Sequence, residues 1–246
     1  MTRGLRERGI QAVLLDIEGT TTPIAFVYDV LFPYARANAD RFLSEQIASD
    51  DVRAIIEQLR SEWRDDVAAA RRPPDWEDGR REAISKYIDW LIDRDRKSPA
   101  LKALQGRIWE SGYRSGVLKG DVYDDVPRAF AAWRRAGIDI AIYSSGSVLA
   151  QRLLFGTTRF GDLTTSISAF FDTGAGPKTA PDSYRRIANA LERRPSDILF
   201  VSDVATELDA ARTAGVEVTL SIRPGNPPQQ VGGEIPLVHS LDEIIT

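Results

Sequence analysis

The sequence has no cysteine, one histidine and one methionine among 246 residues. Without cysteine there can be no disulfide, no thiolate zinc or iron–sulfur centre and no cysteine nucleophile. The lone histidine, His239, excludes a multi-histidine metal site and leaves a serine–histidine device only one base. Long apolar runs are missing too. The first one, AVLL, stops at Asp16, too short for a signal peptide or a membrane span. A cytoplasmic protein without a membrane partner is therefore expected. Positive charge is not in excess: 32 Lys and Arg against 36 Asp and Glu leave a net −4, which speaks against nucleic acid as a partner. Carboxylates, hydroxyls, lysines and hard cations remain for chemistry.

What is present is enough for a sizeable core. The length allows one large domain or two modest ones, and 43% hydrophobic with 28% charged residues is ordinary for a globular chain. Val13 to Leu15 form an unbroken apolar run that ends in Asp16 and a Gly-Thr-Thr-Thr-Pro loop. A strand buried on both faces reads this way. The pattern recurs at 138–143 before Ser144-Ser145-Gly146-Ser147, at 198–201 before Ser202-Asp203, and at 216–221 before Arg-Pro-Gly. Helical patterns over 127–135, 181–193 and 206–213 alternate with these runs, so right-handed crossovers and a parallel sheet follow.

From Ile24 to Leu118 the text changes. Helix-like stretches at 32–48, 51–70, 76–93 and 98–111 carry no strand signal, and Trp63, Trp76, Trp90 and Trp109 fall among them as core filling. The expected fold is α/β, a Rossmann-like doubly wound parallel sheet interrupted by an α-helical cap. Core segments 1–22 and 120–246 would flank the insertion 23–119, with hinges at 21–23 and 119–121. The segment 223–233 (RPGNPPQQVGG) reads as a surface loop.

Ligands of open α/β sheets bind beyond the carboxyl ends of the strands. Asp16, Glu18, Ser144, Ser145 and Asp203 stand there, and Lys178 lies in a loop just before a helix. Singly, each has a plain explanation as a helix cap or a solvated side chain. Together they describe a phosphoryl-transfer device. Carboxylates from two strand ends can hold Mg²⁺, hydroxyls and turn amides can cradle phosphate oxygens, and a lysine can offset developing charge. One carboxylate can then attack as a nucleophile while another moves the proton.

AVLLDIEGT, IYSSGS, GPK and VSDVATELDAARTAG resemble, in order, the four motifs of the haloacid dehalogenase-like phosphohydrolases. The second acid of the first motif is Glu18 where most of that superfamily has Asp. With DIEGTTTPIAFVYDVLFPYAR, IYSSGSVLAQRLLF and WESGYRSGVLKG, this is similar to the enolase-phosphatase family, also called acireductone synthases, over nearly the whole chain. The resemblance implies Mg²⁺-dependent enolisation and dephosphorylation of a 2,3-diketo-5-methylthiopentyl phosphate in methionine salvage. It implies that Asp16 is the nucleophile and a metal ligand, and that Glu18 is the acid/base and offers its carbonyl to the metal. Ser144 and Ser145 would contact substrate, Lys178 the phosphate, and Asp203 the metal. Glu207 would support the metal or position Lys178, or else be a surface residue. A monomer acting on a small phosphate ester is expected. The alternative is a phosphatase or phosphomutase of the same superfamily for another small phospho-sugar. Tyr28, Tyr113 and Lys119 are candidate cap contacts. The enolisation base is not named by the sequence, although Glu18 could serve twice, and His239 reads as a surface or packing residue.

Overall fold

The computed structural model describes residues 4–77, 80–94, 96–230 and 234–245. Its core is a six-stranded parallel sheet in the order β3-β2-β1-β4-β5-β6. The strands are β1 (Ala12–Leu15), β2 (Asp139–Tyr143), β3 (Ala169–Phe171), β4 (Ile198–Ser202), β5 (Glu217–Ser221) and β6 (Leu237–Val238). All four residues of β1 and all five of β4 are buried, because helices cover both faces of a parallel sheet. Val13 pairs with Ile140 on one side and Leu199 on the other, so β1 sits mid-sheet. The order of the strands reverses between β1 and β4, so the chain moves to one side of the sheet after β1 and to the other after β4. This is the switch point at which such sheets bind ligands.

The longer helices described in this unit are α6 (Asp125–Arg135), α7 (Val148–Gly156), α8 (Pro181–Ala190) and α9 (Ala205–Thr213), the numbers α1 to α5 falling to the earlier part of the chain. Helix α6 shows why they form. Val126, Ala129, Phe130 and Trp133 fall at helical spacing and are all buried, Asp125 lies in the first turn, and Arg134 and Arg135 lie in the last. Gly137, at φ +70°, turns the chain out toward β2. Burying Phe130 or Trp133 contributes on the order of 2 kcal/mol each.

Strands β3 and β6 and helix α7 were not expected. Three and two residues respectively are too short to show a period, and β3 is only half-buried at a sheet flank. Helix α7 starts on Ser147, whose hydroxyl accepts from Ala150 N at 3.2 Å. The sheet unit also runs on to Val27 before resuming at Lys119, rather than ending at residue 22. The cause is local. Thr20, Thr21 and Thr22 are fully buried, and the Thr21 carbonyl accepts from Tyr123 N at 3.0 Å.

Residues 28–118 form a second compact unit, all helical. It holds α2 (Phe32–Gln46), α3 (Asp50–Ala68), α4 (Arg81–Asp93) and α5 (Pro99–Arg114). A three-residue α1 (Ile24–Phe26) and a π-helical turn, Val27–Leu31, lead into it along the chain. Its core gathers Leu43, Leu59, Tyr87, Leu91 and Leu104, with Trp90 buried and Trp63, Trp76 and Trp109 packed against it. Tyr87 stacks on Trp90 with ring centroids 5.7 Å apart. The helix expected from 76 begins only at Arg81, residues 71–77 having no regular secondary structure and 78–79 lying outside the described residues. Among the described residues no helix is long and apolar enough to cross a membrane.

Candidate active site

Asp16 follows β1 directly and keeps sheet register through its N–H, which donates to the Val201 carbonyl at 3.0 Å. The chain then turns sharply. Gly19 has φ +68°, and the N–H groups of Thr20, Thr21 and Thr22 converge on the Ile17 carbonyl at 3.2, 3.0 and 2.9 Å. This turn leaves Asp16 5% exposed and Glu18, two residues on, exposed. Asp16 Oδ1 accepts from Ile17 N and lies against Lys178 Nζ, both at 2.7 Å. Its other oxygen, Oδ2, accepts from Ser202 Oγ at 3.2 Å.

Lys178 reaches Asp16 from a loop whose backbone is held at three successive carbonyls. Tyr143 OH donates to Gly176 O at 2.8 Å, Ser183 Oγ to Pro177 O at 2.8 Å and Tyr184 OH to Lys178 O at 2.7 Å. The ammonium is shared with Glu207 Oε2 at 2.6 Å. Glu207 lies in the first turn of α9, so it is a partner of Lys178 and not a helix-surface glutamate. Ser202, the last residue of β4, bridges the pair: its hydroxyl also lies 2.9 Å from Glu207 Oε2 and accepts from Val204 N at 3.1 Å.

Asp203 stands at the end of β4, 5% exposed. A β-carbon on Gly19 would lie 2.6 Å from its Cγ, so the turn after β1 presses directly on this carboxylate. Ser144 ends β2 and is buried. Its N–H donates to Phe171 O at 3.1 Å and its Oγ accepts from Gly146 N at 3.1 Å. Gln151 ties the same turn through Gly146 O and Phe171 O, both at 2.8 Å. Ser145 is exposed on that turn.

The electrostatics are strained toward negative charge. Three carboxylates, the buried Asp16 and Asp203 and the half-buried Glu207, face the one ammonium of Lys178. Burial, and next the charge of Asp16, push the Asp203 carboxyl up to about 7. The same two causes raise Glu207. Burial opposes the charge on Lys178, but Asp16 and Glu207 outweigh it and hold its pKa above the ordinary lysine value. Excess buried negative charge built from hard oxygen donors fits a small divalent cation. Among the described residues no three acidic or histidine groups form a ready cage. Mg²⁺ takes one or two carboxylates and completes its shell with waters and phosphate.

Sequence reasoning missed Ser202, Ser221, Arg223 and Asn226. Arg223 opens the segment read as a surface loop, yet it is 6% exposed, because its guanidinium is folded inward onto the Thr20 carbonyl and Asp125. Residues 231–233 of that segment lie outside the described ones. His239 is exposed, as expected, and only its backbone is engaged. Of the candidate cap contacts, Tyr28 and Lys119 are exposed, while Tyr113 is buried.

A parallel sheet carrying acid, hydroxyl, lysine and acid at successive strand ends is the arrangement of one hydrolase class. Residues 10–215 match the haloacid dehalogenase-like hydrolase family, and the chain belongs to it. The match tightens among individual relatives. The chain is 51% identical to the enolase-phosphatase E1 of Synechococcus elongatus over 96% of its own length and 98% of that protein. It is 47% identical to the enolase-phosphatase E1 of Drosophila melanogaster, covering 89% and 86%. Within the class, the chain falls in the enolase-phosphatase family. The solved UTR4 protein of Saccharomyces cerevisiae, 33% identical, superposes with a TM-score of 0.74 over 94% of this chain and 98% of that one. CbbY from Rhodobacter sphaeroides, at 19% identity and a TM-score of 0.58, shares the fold.

Proposed function

We propose that this chain is an Mg²⁺-dependent enolase-phosphatase that takes 2,3-diketo-5-methylthiopentyl-1-phosphate to its acireductone and phosphate. The observation that supports this most is the meeting of Asp16, Lys178, Asp203 and Glu207 at the ends of β1 and β4. It occurs in a chain 51% identical to an enolase-phosphatase E1. We take the protein as a cytoplasmic monomer acting on a small phosphate ester, with residues 28–118 as the inserted substrate-selecting unit.

Asp16 is the nucleophile. Its carboxylate is fixed at Oδ1 by Ile17 N and Lys178, and it attacks phosphorus in line to form an aspartyl-phosphate. Lys178 offsets charge building on the phosphoryl oxygens, and Glu207 keeps that ammonium in place. Glu18, exposed beside the nucleophile, protonates the leaving oxygen and then takes a proton from the hydrolytic water. Ser144 and Ser145 supply hydroxyl and amide donors to the phosphate. Asp16, Asp203 and the Glu18 carbonyl would hold Mg²⁺, which supplies Lewis-acid stabilisation of the phosphate and polarises the diketone. Enolisation comes first, with Glu18 as the base.

Replacing Asp16 with Asn tests both steps at once. Phosphate release falls by ~10⁴-fold or more, since the nucleophile is gone. The diketone phosphate is still converted to its enol, seen as a new ultraviolet absorbance. Phosphate release at the wild-type rate would overturn the nucleophile assignment, and absence of the enol would leave only a phosphatase. EDTA abolishes phosphate release by the wild-type protein, and added Mg²⁺ restores it.

A further inference from the structure

Three side chains, one ending β5 and two from the segment that follows it, converge on two consecutive carbonyls of the nucleophile loop. Ser221 Oγ donates to Gly19 O at 3.2 Å, Asn226 Nδ2 to the same oxygen at 2.9 Å, and Arg223 Nε to Thr20 O at 3.1 Å. We propose that Arg223 and Asn226, with Ser221, are positioning residues that hold the Glu18–Thr20 backbone so that the Glu18 carboxyl meets the leaving oxygen. The proposal rests on the acid/base role given to Glu18 above.

The segment is anchored as a rigid part would be. Arg223 Nη1 donates to His239 O at 2.9 Å and pairs with Asp125 Oδ2 at 2.7 Å, and the guanidinium lies 4.4 Å over the Tyr123 ring. Both partners of that ion pair are buried, with side-chain exposures of 5% and 6%. Asp125 is itself fixed by donors from Leu241 N at 2.6 Å and Ser240 Oγ at 2.9 Å. One guanidinium thus joins the nucleophile loop, the start of α6 and the C-terminal turn. A flat five-donor fork holds these acceptors at fixed angles, whereas an ammonium is a point charge whose donors rotate on a flexible stem.

The loop needs such a hold. Gly19 is in the left-handed region, and two groups crowd the place a side chain would take: an added β-carbon would stand 2.6 Å from Asp203 Cγ and 2.9 Å from Asn226 Oδ1. The Asn226 amide therefore packs, together with Asp203, where a Gly19 side chain would stand, while also binding the Gly19 carbonyl. Peptide rotation at Gly19 would swing Glu18, its neighbour, away from the position an acid must occupy. Displacements of about 1 Å at such a group cost about 100-fold in rate.

The test is a double-mutant cycle on turnover of the diketone phosphate. Arg223→Lys and Asn226→Ala each lower kcat by about tenfold to a hundredfold, with KM within about twofold, since neither residue touches substrate. On a Glu18→Gln background the same changes cost less than about threefold, because the group they position is already gone. Additive losses in the two backgrounds, or a rise in KM with kcat unchanged, overturn the clamp. A Glu18→Gln protein with wild-type kcat would instead overturn the acid/base role on which the clamp depends. Asn226→Ala leaves the buried Arg223–Asp125 pair intact, so a fold lost in Arg223→Lys still leaves one variant to decide the matter.

Discussion

A β-carbon at Gly19 would stand 2.6 Å from Asp203 Cγ, inside van der Waals contact. The two residues lie in the loops after β1 and β4, and only the absence of a side chain on one lets the carboxylate of the other approach. Gly19→Ala therefore combines a left-handed backbone penalty with a clash. It destabilises the fold by about 1–3 kcal/mol and displaces Asp203. Thermal unfolding and phosphate release, measured together, should both fall. An alanine variant of wild-type activity and stability would contradict the packing described.

Asp16 and Lys178 lie 2.7 Å apart, yet removing either should act on stability in opposite directions. Asp16→Asn deletes one of three clustered negative charges and leaves Lys178 paired with Glu207, so the unfolding temperature holds or rises while activity is lost. Lys178→Met strands those carboxylates without a cation and costs about 3–5 kcal/mol near neutral pH. Differential scanning calorimetry of the two variants without added metal checks the contrast.

The helical unit carries its own acid-sensitive group. Asp66 is buried, which opposes its charge, but Tyr87 OH at 2.7 Å, Arg71 Nη1 at 2.7 Å and Arg96 Nη2 at 3.1 Å outweigh burial and hold its pKa below 3.8. A depressed carboxylate stabilises the fold above its unfolded-state pKa and loses that contribution as pH falls through the folded value. Asp66→Asn should destabilise by about 1–3 kcal/mol at pH 7, with the difference shrinking only below about pH 4. Urea titrations at pH 7, 5 and 3.5 read this directly; a difference that vanished already at pH 5 would mean the carboxylate is not held as described.

Much of the core was legible because its signals are local. Strands β1, β2, β4 and β5 are apolar runs closed by turn residues, and α8 opens on Pro181 at its first helical position. Strands β3 and β6 carry no such signal, being too short for a period and defined by the neighbour they pair with. Arg223 was illegible for a different reason. Proline and glycine around it mark a loop, and loops are usually at the surface, but a loop can still bury one arginine where carbonyls and a carboxylate are waiting.

By itself, the sequence determined the alternation of strands and helices, the helical character of the insertion, and which side chains stand at strand ends. Those properties depend on residues a few positions apart, through pleat, helical period and turn chemistry. It also supplied the order of four motifs that identified the class. Only the tertiary structure decided that Ser202 meets Asp16 across 186 positions, that Glu207 shares Lys178, and that Asn226 and Arg223 bind the nucleophile loop. These contacts are set by strand register and by how far each loop reaches. That is a property of the packed sheet, since a carboxylate paired with a distant lysine looks in the text like any other.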